Sequence, residues 1–316
     1  MNVIPSVNLQ DFVSGDPVRK QKFIDEIGKA YEEIGFVALK GHFLDDALVD
    51  DLYGEVKNFF SLPTDVKRTY EIPGIGGQRG YVSFGKESAK GQKQGDLKEF
   101  WHFGQYVEDD PVRAKEYPEN VQVAELPRFN EVGKEAYAML EKTAKYVLRA
   151  LALHLNLDET YFDNYIHNGN SILRPIHYPP IHEEPKEAVR AAAHGDINLI
   201  TLLMGAQGRG LQVQNHKGEW LDAIAEPDEL MINVGDMLSR HTNNKLKSTI
   251  HRVVNPPREL WGTSRYSIPF FMHPISEMKL DVLESCIDED HPKQFEDITA
   301  GEFLTERLIE LGLIKK

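Results

Sequence analysis

His194-Gly195-Asp196, His251-Arg252-Val253 and Arg265-Tyr266-Ser267 are three short motifs in the stretch 191–271, around which the rest of the chain is organised. Between them lie short apolar runs with the composition of β-strands, separated by glycine and proline turns. Closely spaced strands of this kind are typical of a small β-barrel or a double-sheet jelly roll and do not suit a parallel α/β sheet. The stretch therefore predicts a mainly β core.

Two histidines and one aspartate in this stretch have the side chains of a metal site. His194 and Asp196 are two positions apart, so in a strand their side chains would lie on the same face. His251 lies far along the chain, so only a folded sheet brings it near. Two imidazoles and one carboxylate favour Fe(II) with the opposite positions open, although Mn, Co, Ni and Zn suit the same ligands. Because the chain has 12 histidines, the His-x-Asp pair alone is equally consistent with a structural role.

Arg265 and Ser267 repeat the same two-residue spacing on a later predicted strand. A guanidinium group and a hydroxyl group together are suited to binding a carboxylate. The apolar residues Ile268 and Phe270 follow directly, and an arginine turned inward among such residues is costly without an anionic partner. The pair therefore predicts a carboxylate site on the inner side of the sheet.

Outside this stretch, apolar residues recur at helical spacing. Asp16-Pro17 has the residue types of an N-cap and a first helical position, and Pro127–Leu155 is the longest predicted helix. A terminal helix is predicted over 298–314, and the glycine-rich segment 71–104 is predicted to form loops. Asp236 is predicted to lie in a turn. The candidate strands are Ile4–Asn8, Gly35–Leu39, Ser171–Tyr178, Arg190–His194, Ile197–Met204, Leu211–Asn215, Trp220–Ala223, Leu230–Val234, Thr249–Val254 and Tyr266–Met272.

Charge and cysteine content exclude several classes of protein. The chain has 316 residues and a net charge of −14; a field of that sign repels phosphate backbones, so nucleic acid is not an expected partner. The single cysteine, Cys286, excludes an intrachain disulfide and a cysteine-rich zinc or iron–sulfur site. No segment resembles a signal peptide or is long and apolar enough to cross a bilayer. We therefore expect a cytoplasmic, monomeric protein without a membrane partner.

The combined motifs resemble those of the isopenicillin-N-synthase-like family of Fe(II)/2-oxoglutarate-dependent dioxygenases, and the resemblance covers nearly the whole chain. Each fragment alone is unspecific, whereas the set is highly specific. The matching residues are His194-x-Asp196, His251, Arg265-x-Ser267, the similar stretches Asn233–Met237 and Lys247–Val253, and, in the amino-terminal part, Gly35-Phe36 and Arg79-Gly80-Tyr81.

The resemblance implies a mainly β fold with flanking helices, arranged as a distorted double-stranded β-helix (a cupin-like jelly roll). It implies that Arg265 and Ser267 hold the distal carboxylate of 2-oxoglutarate. Tyr178 matches a family tyrosine often found near this co-substrate, but the usual asparagine two positions earlier is Ile176 here, and Tyr178 also suits a plain core position. The residues implied to bind Fe(II) are His194, Asp196 and His251.

The resemblance also implies an oxidoreductase that uses Fe(II), 2-oxoglutarate and dioxygen to oxidise a small organic substrate, with release of succinate and CO2. The oxidation is a hydroxylation, a desaturation or a cyclisation. The chemistry is centred on the iron, and no separate protein acid or base is assigned. The fold does not name the substrate. The predicted substrate contacts are Arg79, Tyr81, Phe100, Asn198 and Phe271.

Several alternatives stay open at this point. An oxidase like isopenicillin N synthase would use no 2-oxoglutarate, and its Arg265-x-Ser267 pair would hold a substrate carboxylate. An ethylene-forming breakdown of 2-oxoglutarate is a more remote variant. A non-catalytic metal-binding sensor on the same fold has no need of an open iron face. A hydrolytic zinc site would lack a placed general base and would leave Arg265 without a role.

The resemblance divides the chain into two regions. Residues 1–120 form an amino-terminal α/β region of the non-haem dioxygenase N-terminal type. Residues 121–316 contain the long helix and the jelly-roll core. We expect the two regions to pack as one compact unit.

Overall fold

The computed structural model describes residues 4–86, 96–185, 188–207 and 210–310. The predicted loop segment lies partly outside these ranges, at 87–95, and the predicted end of the terminal helix lies outside them at 311–314. The helices are α1 (Leu9–Val13), α2 (Pro17–Glu33), α3 (Asp46–Phe60), α4 (Thr64–Arg68), α5 (Pro127–His154), α6 (Asp163–Ile166), α7 (Asp236–His241) and α8 (Ala300–Glu310).

The strands form two sheets. The major sheet has the order β1-β2-β11-β8-β13-β5-β4-β3, with β6 paired to both β13 and β4, and the minor sheet has the order β10-β9-β12-β7. The strands are β1 (Ser6–Asn8), β2 (Phe36–Lys40), β3 (Gly80–Val82), β4 (Glu99–Gly104), β5 (Ile172–Leu173), β6 (Ile176–Tyr178), β7 (Ala191–His194), β8 (Ile200–Gln207), β9 (Leu211–Gln214), β10 (Trp220–Asp222), β11 (Leu230–Val234), β12 (His251–Val253) and β13 (Arg265–Met272).

The major sheet buries its outer face against α2, α3 and α5. Successive side chains of a strand alternate between the two faces, so in β13 Ile268, Phe270 and Met272 point to this helical side and are fully buried. Arg265, Ser267 and Phe271 therefore face the interior between the sheets. Burial of the outer apolar face stabilises the sheet and leaves its inner face for polar side chains.

The predicted start of α2 is confirmed in detail. Asp16 caps α2 by accepting hydrogen bonds from the backbone amides of Val18 and Arg19, and Pro17 occupies the first helical turn. At the other end of α2, Gly35 turns the chain into β2 with φ +71°, and an added Cβ would lie 2.1 Å from the carbonyl oxygen of Lys247. Only glycine suits both conditions, so this turn brings α2 close to the segment that precedes His251.

Three predictions of secondary structure were wrong. The segment 71–104 contains strands β3 and β4, which pair in register with Tyr81 opposite Trp101. The predicted strand Ser171–Tyr178 is divided into β5 and β6, because Pro175 between them has no N–H to donate to a neighbouring strand. Asp236 begins the short helix α7 rather than a turn.

Strands β1 to β4, which lie on the amino-terminal side of residue 120, hydrogen-bond into the same sheet as β8, β11 and β13. The division of the chain at residue 120 stays a prediction.

In the described part of the chain, no helix has the combination of length and apolar character that crossing a membrane requires.

Candidate metal centre and anion pocket

His194, Asp196 and His251 meet at the inner side of the minor sheet. His194 ends β7 and lies opposite His251, which begins β12. Asp196 lies two residues beyond the end of β7, so its proximity to His194 results from the turn after the strand and not from strand alternation. The Nε2 atoms of His194 and His251 lie 3.8 and 3.7 Å from Asp196 Oδ1. One ligand atom from each residue falls within 4.8 Å of the others.

Both imidazoles are oriented by backbone carbonyl groups. His194 Nδ1 lies 2.7 Å from the carbonyl oxygen of Ala192, and His251 Nδ1 lies 3.2 Å from that of Thr249. A ring nitrogen beside a carbonyl carries the proton, so the lone pair of each neutral imidazole is on Nε2. Both lone pairs are therefore directed to the side that Asp196 faces, as metal ligation requires.

Asp196 is held as a carboxylate by four neighbours. Burial alone would raise its pKa, but His251, His194 and two hydrogen bonds outweigh burial and lower the pKa below the ordinary value. The hydrogen bonds come from Thr201 Oγ1 (2.7 Å) and Asn233 Nδ2 (2.8 Å), and both reach Oδ2. Oδ1 is thereby left facing the two imidazoles.

His194 is neutral at pH 7. Desolvation, and after it the nearby His251, lower the pKa of His194 to about 4. A neutral imidazole has a lone pair for a metal without first losing a proton. Two imidazoles and one carboxylate on one side form a donor set that fits Fe(II) and leaves the opposite side open.

Arg265 lies on the inner face of β13, opposite Tyr178 on β6. Its side chain is buried, and none of its three guanidinium nitrogens has a hydrogen-bond partner among the described residues. A buried cation without hydrogen bonds is costly, so this pocket is complementary to a carboxylate. Ser267, also buried, follows on the same face of β13, and the Tyr178 ring lies 5.0 Å from the Arg265 guanidinium.

Two of the five predicted substrate contacts lie on the inner face of the major sheet. Phe100 on β4 packs beside Ile176 and Tyr178. Phe271 on β13 is half-buried and lies against the guanidinium of Arg174, at 5.2 Å. Both positions are compatible with the wall of a substrate pocket.

The structure does not place Tyr81 and Asn198 in contact with such a pocket. Tyr81 points to the helical side, where its ring packs against Phe59 and its hydroxyl donates to Glu99. Asn198 is fully buried, and its amide donates to the carbonyl oxygen of Ile200. Both side chains therefore have partners within the protein, and Asn198 also bonds to Thr201 Oγ1 at 3.1 Å. Their predicted contact with substrate stays a prediction.

Arg79 is fully buried against Gly104, where an added Cβ would lie 1.7 Å from its guanidinium carbon. Its Nη1 donates to the carbonyl oxygen of Gln78 at 2.7 Å. Its predicted contact with substrate stays a prediction.

Sequence reasoning missed Arg174, His102 and His273. The Arg174 guanidinium lies over Phe100 at 4.5 Å, and its Nε donates to His102 Nε2 at 2.5 Å. His273, two positions beyond Phe271, is influenced electrostatically by both Asp196 and Arg174, and desolvation is the main cause that lowers its pKa to about 4. The argument that found Arg265, an arginine inside a predicted apolar strand, would also have found Arg174.

Three side chains near the motifs have partners within the protein. His177 lies 2.7 Å from Glu99, and His241 lies 2.6 Å from the carbonyl oxygen of Asp281. Arg252 points away from the metal residues and stacks on Trp220 at 3.9 Å.

Comparison with protein families gives two matches. Residues 4–125 match the model described as non-haem dioxygenase in morphine synthesis N-terminal, and residues 169–274 match the 2OG-Fe(II) oxygenase superfamily. A 2-oxoglutarate-Fe(II) type oxidoreductase of Aspergillus fumigatus is 30% identical over 313 residues, which cover 96% of this chain and 91% of the relative.

Two solved proteins are similar along nearly their whole length. A 2OG-Fe(II) oxygenase family protein from Caulobacter crescentus has a TM-score of 0.89 and 41% identity, covering 98% of this chain and 100% of that chain. A full-length Neurospora crassa protein in complex with alpha-KG has a TM-score of 0.86 and 28% identity, covering 98% and 96%. The same Neurospora crassa protein in complex with alpha-KG and thymine has a TM-score of 0.84 and 28% identity, covering 98% and 97%.

The fold and the His-Asp-His group define a mainly β protein of the double-stranded β-helix class with a candidate divalent-metal centre, which confirms the predicted fold. The chain belongs to the 2OG-Fe(II) oxygenase superfamily. It is an oxidoreductase that uses Fe(II), 2-oxoglutarate and dioxygen, so the alternatives without 2-oxoglutarate or without turnover are set aside.

Proposed function

We propose that His194, Asp196 and His251 hold the iron, that Arg265, Ser267 and Tyr178 receive the distal carboxylate of 2-oxoglutarate, and that the enzyme oxidises a small planar organic molecule beside them. The observation that carries this assignment is the Arg265 guanidinium, which is buried on the inner face of β13 without a hydrogen bond to any described residue. Succinate and CO2 are the co-products.

Each protein group has a stated role in this proposal. The iron, when bound, supplies the site at which 2-oxoglutarate and dioxygen react and a substrate C–H bond is oxidised. His194 and His251 offer Nε2, while Thr201 and Asn233 hold Asp196 Oδ2 so that Oδ1 is directed to the metal. The guanidinium of Arg265 orients 2-oxoglutarate by its distal end and leaves its oxo acid end for the metal.

The proposed substrate surface consists of two aromatic rings and one guanidinium group. The Arg174 guanidinium lies over the ring of Phe100 and the ring of Phe271, at 4.5 and 5.2 Å. His102 fixes the plane of this guanidinium, because its Nε2 accepts from Arg174 while its Nδ1 lies 2.6 Å from the carbonyl oxygen of Gly77. A planar cation between aromatic rings favours a flat substrate with a carbonyl or carboxylate oxygen.

The thymine complex of the Neurospora crassa protein supports this substrate class, since thymine is a flat ring with carbonyl oxygens. We therefore infer a carbonyl-bearing ring as the substrate. Hydroxylation is the reaction that needs no further protein group, and desaturation and cyclisation remain alternatives. A cytoplasmic location and a monomeric state stay predictions.

The test is succinate release from 2-oxoglutarate by the iron-loaded enzyme, screened over pyrimidine bases, other carbonyl-bearing heterocycles and ring carboxylic acids. Arg265→Gln is expected to raise the KM for 2-oxoglutarate at least about tenfold. Arg174→Met is expected to raise the KM for the organic substrate and to leave the affinity for 2-oxoglutarate near that of the wild type. Arg19→Gln, an exposed arginine paired with Asp11, serves as the control.

An unchanged KM for 2-oxoglutarate in Arg265→Gln would refute the co-substrate assignment. An unchanged KM for the organic substrate in Arg174→Met would refute the proposed substrate surface without affecting the metal assignment.

A further inference from the structure

A second buried guanidinium group lies beside the pocket of Arg265. Arg190 immediately precedes β7, and only 3% of its surface is exposed. Its Nη2 donates one long hydrogen bond, 3.3 Å, to the carbonyl oxygen of Thr263. Its Nε has no hydrogen-bond partner among the described residues.

Arg190 and Arg265 share the ring of Tyr178. Their guanidinium carbons lie 5.7 and 5.0 Å from the centroid of that ring. The two cations are close enough to repel each other: burial, and after it the charge of Arg265, lower the pKa of Arg190 to about 10. With this pKa, Arg190 is still charged at pH 7.

No carboxylate among the described residues forms an ion pair with Arg190 or Arg265. Two like charges buried near one aromatic ring are unfavourable, and one long hydrogen bond does not offset the desolvation of a group with five donors. The attraction between a ring face and a cation is also too weak to offset this cost. An anionic ligand bound to both guanidinium groups would neutralise this buried positive charge.

We propose that Arg190 is the second cation of the co-substrate pocket, and that it binds the distal carboxylate of 2-oxoglutarate together with Arg265. This inference rests on the proposed function, which places that carboxylate at Arg265 and Ser267. The pocket is then suited to a dicarboxylate, because the carboxylate distant from the metal meets two positive charges.

The proposal predicts that replacing Arg190 leaves the ligand-free protein as stable as the wild type or more stable, and weakens the binding of 2-oxoglutarate. Arg190→Met keeps the apolar stem and removes an uncompensated charge. The Mn(II)-loaded variant without 2-oxoglutarate is therefore expected to melt at the wild-type temperature or above it. Its Kd for 2-oxoglutarate, measured by calorimetry under argon, is expected to rise about tenfold. The increase in Tm that 2-oxoglutarate causes is expected to shrink accordingly.

Arg252→Met is the matched control, because Arg252 is an arginine with protein partners, Trp220 and Gln212, on the outward side. It is expected to lower the Tm and to leave the Kd for 2-oxoglutarate unchanged. Arg190→Lys keeps the charge without the planar fork and is expected to show an intermediate Kd.

An Arg190→Met protein that melts well below the wild type, or that does not fold, would show that Arg190 stabilises the chain without a ligand and would overturn the proposal. An unchanged Kd for 2-oxoglutarate would overturn it as well. Arg265→Gln distinguishes this failure from a failure of the proposed function. If Arg265→Gln loses affinity for 2-oxoglutarate and Arg190→Met does not, the pocket at Arg265 binds the co-substrate without Arg190. If Arg265→Gln binds 2-oxoglutarate normally, the assignment of the pocket itself is wrong.

Discussion

At the scale of single residues, two neutral donors determine how Asp196 presents its carboxylate. Thr201 and Asn233 both bond to Oδ2, and neither residue belongs to the three predicted metal ligands. Thr201→Val removes one of these donors while keeping the shape of the side chain. We expect the affinity for Fe(II) or Mn(II) to fall about 10-fold to 100-fold, since the carboxylate loses its fixed orientation. Calorimetric titration of the metal-free protein measures this.

Thr143→Val is the control for Thr201→Val. Thr143 is a fully buried threonine in α5 whose hydroxyl donates to the carbonyl oxygen of Met139. Its substitution also buries a methyl group in place of a hydroxyl, but it should leave the metal affinity unchanged. Equal metal affinities for the Thr201 and Thr143 variants would contradict the role given to Thr201.

His273 predicts a pH dependence of stability. Its pKa is lowered from 6.5 to about 4 in the folded protein, so the unfolded chain binds more protons between these two values. The free energy of unfolding therefore falls as the pH decreases from about 6.5 toward 4. His273→Gln removes this contribution, so its free energy of unfolding should depend less steeply on pH in that window. Urea unfolding of the metal-free proteins at pH 7, 6 and 5 measures the difference, and parallel curves would exclude His273 as a cause.

At the scale of elements, the sequence predicted those helices and strands whose signals are local. The N-cap Asp16 followed by Pro17 fixes the start of α2, and the apolar spacing of Pro127–Leu155 matches α5 to within one residue. The His-x-Asp spacing also identified two residues of the candidate metal centre, although the turn after β7, and not a strand, brings Asp196 to His194. Local sequence signals were therefore sufficient to predict features that lie within a single helix or a single short segment.

Strand β4 was missed because all six of its residues are buried and it shows no alternation of polar and apolar side chains. Its polar side chains have partners that are remote in sequence: Glu99 bonds to Lys67 and His177, and His102 bonds to Arg174. Such pairing depends on the whole sheet. For this reason the sequence predicted Phe100 as part of the proposed substrate surface but did not predict Arg174.

Glu99 joins three elements by its carboxylate, and its removal should loosen the edge of the major sheet. It accepts from Lys67 on α4, from Tyr81 on β3 and from His177 on β6. Glu99→Gln leaves the buried Lys67 cation without its counter-charge, and we expect the free energy of unfolding to fall by about 3 kcal/mol. Urea denaturation at pH 7 measures it.

Glu71→Gln is the comparison for Glu99→Gln. Glu71 bonds to the exposed Lys86 and to the backbone amide of Ser83, so solvent compensates much of what the substitution removes. The loss of stability should be clearly smaller than for Glu99→Gln. Losses of the same size would mean that the network around Glu99 adds little to the packing of β3, β4 and β6.

At the scale of the whole molecule, the metal site and the arginine pocket connect the two sheets. His194 and His251 belong to the minor sheet, whereas Asp196 is anchored through Thr201 and Asn233 to β8 and β11 of the major sheet. Arg265 lies on β13 of the major sheet. A metal held by the three ligands joins both sheets, and 2-oxoglutarate bound to that metal adds a second connection to β13.

This arrangement predicts that the two ligands stabilise the fold cooperatively. Mn(II) at about 100 times its Kd should stabilise the protein by about 2.7 kcal/mol, and 2-oxoglutarate should raise the Tm further only when the metal is present. In Asp196→Ala, neither Mn(II) nor 2-oxoglutarate is expected to raise the Tm. In Arg265→Gln, Mn(II) should still raise the Tm, but 2-oxoglutarate should not. His167→Ala, which replaces an exposed histidine paired with Asp109, should show both increases. Differential scanning calorimetry of the four proteins measures these increments. An equal rise in Tm with 2-oxoglutarate before and after chelation of the metal would mean that the co-substrate binds without the metal, and the two sheets would then not be joined through the ligands.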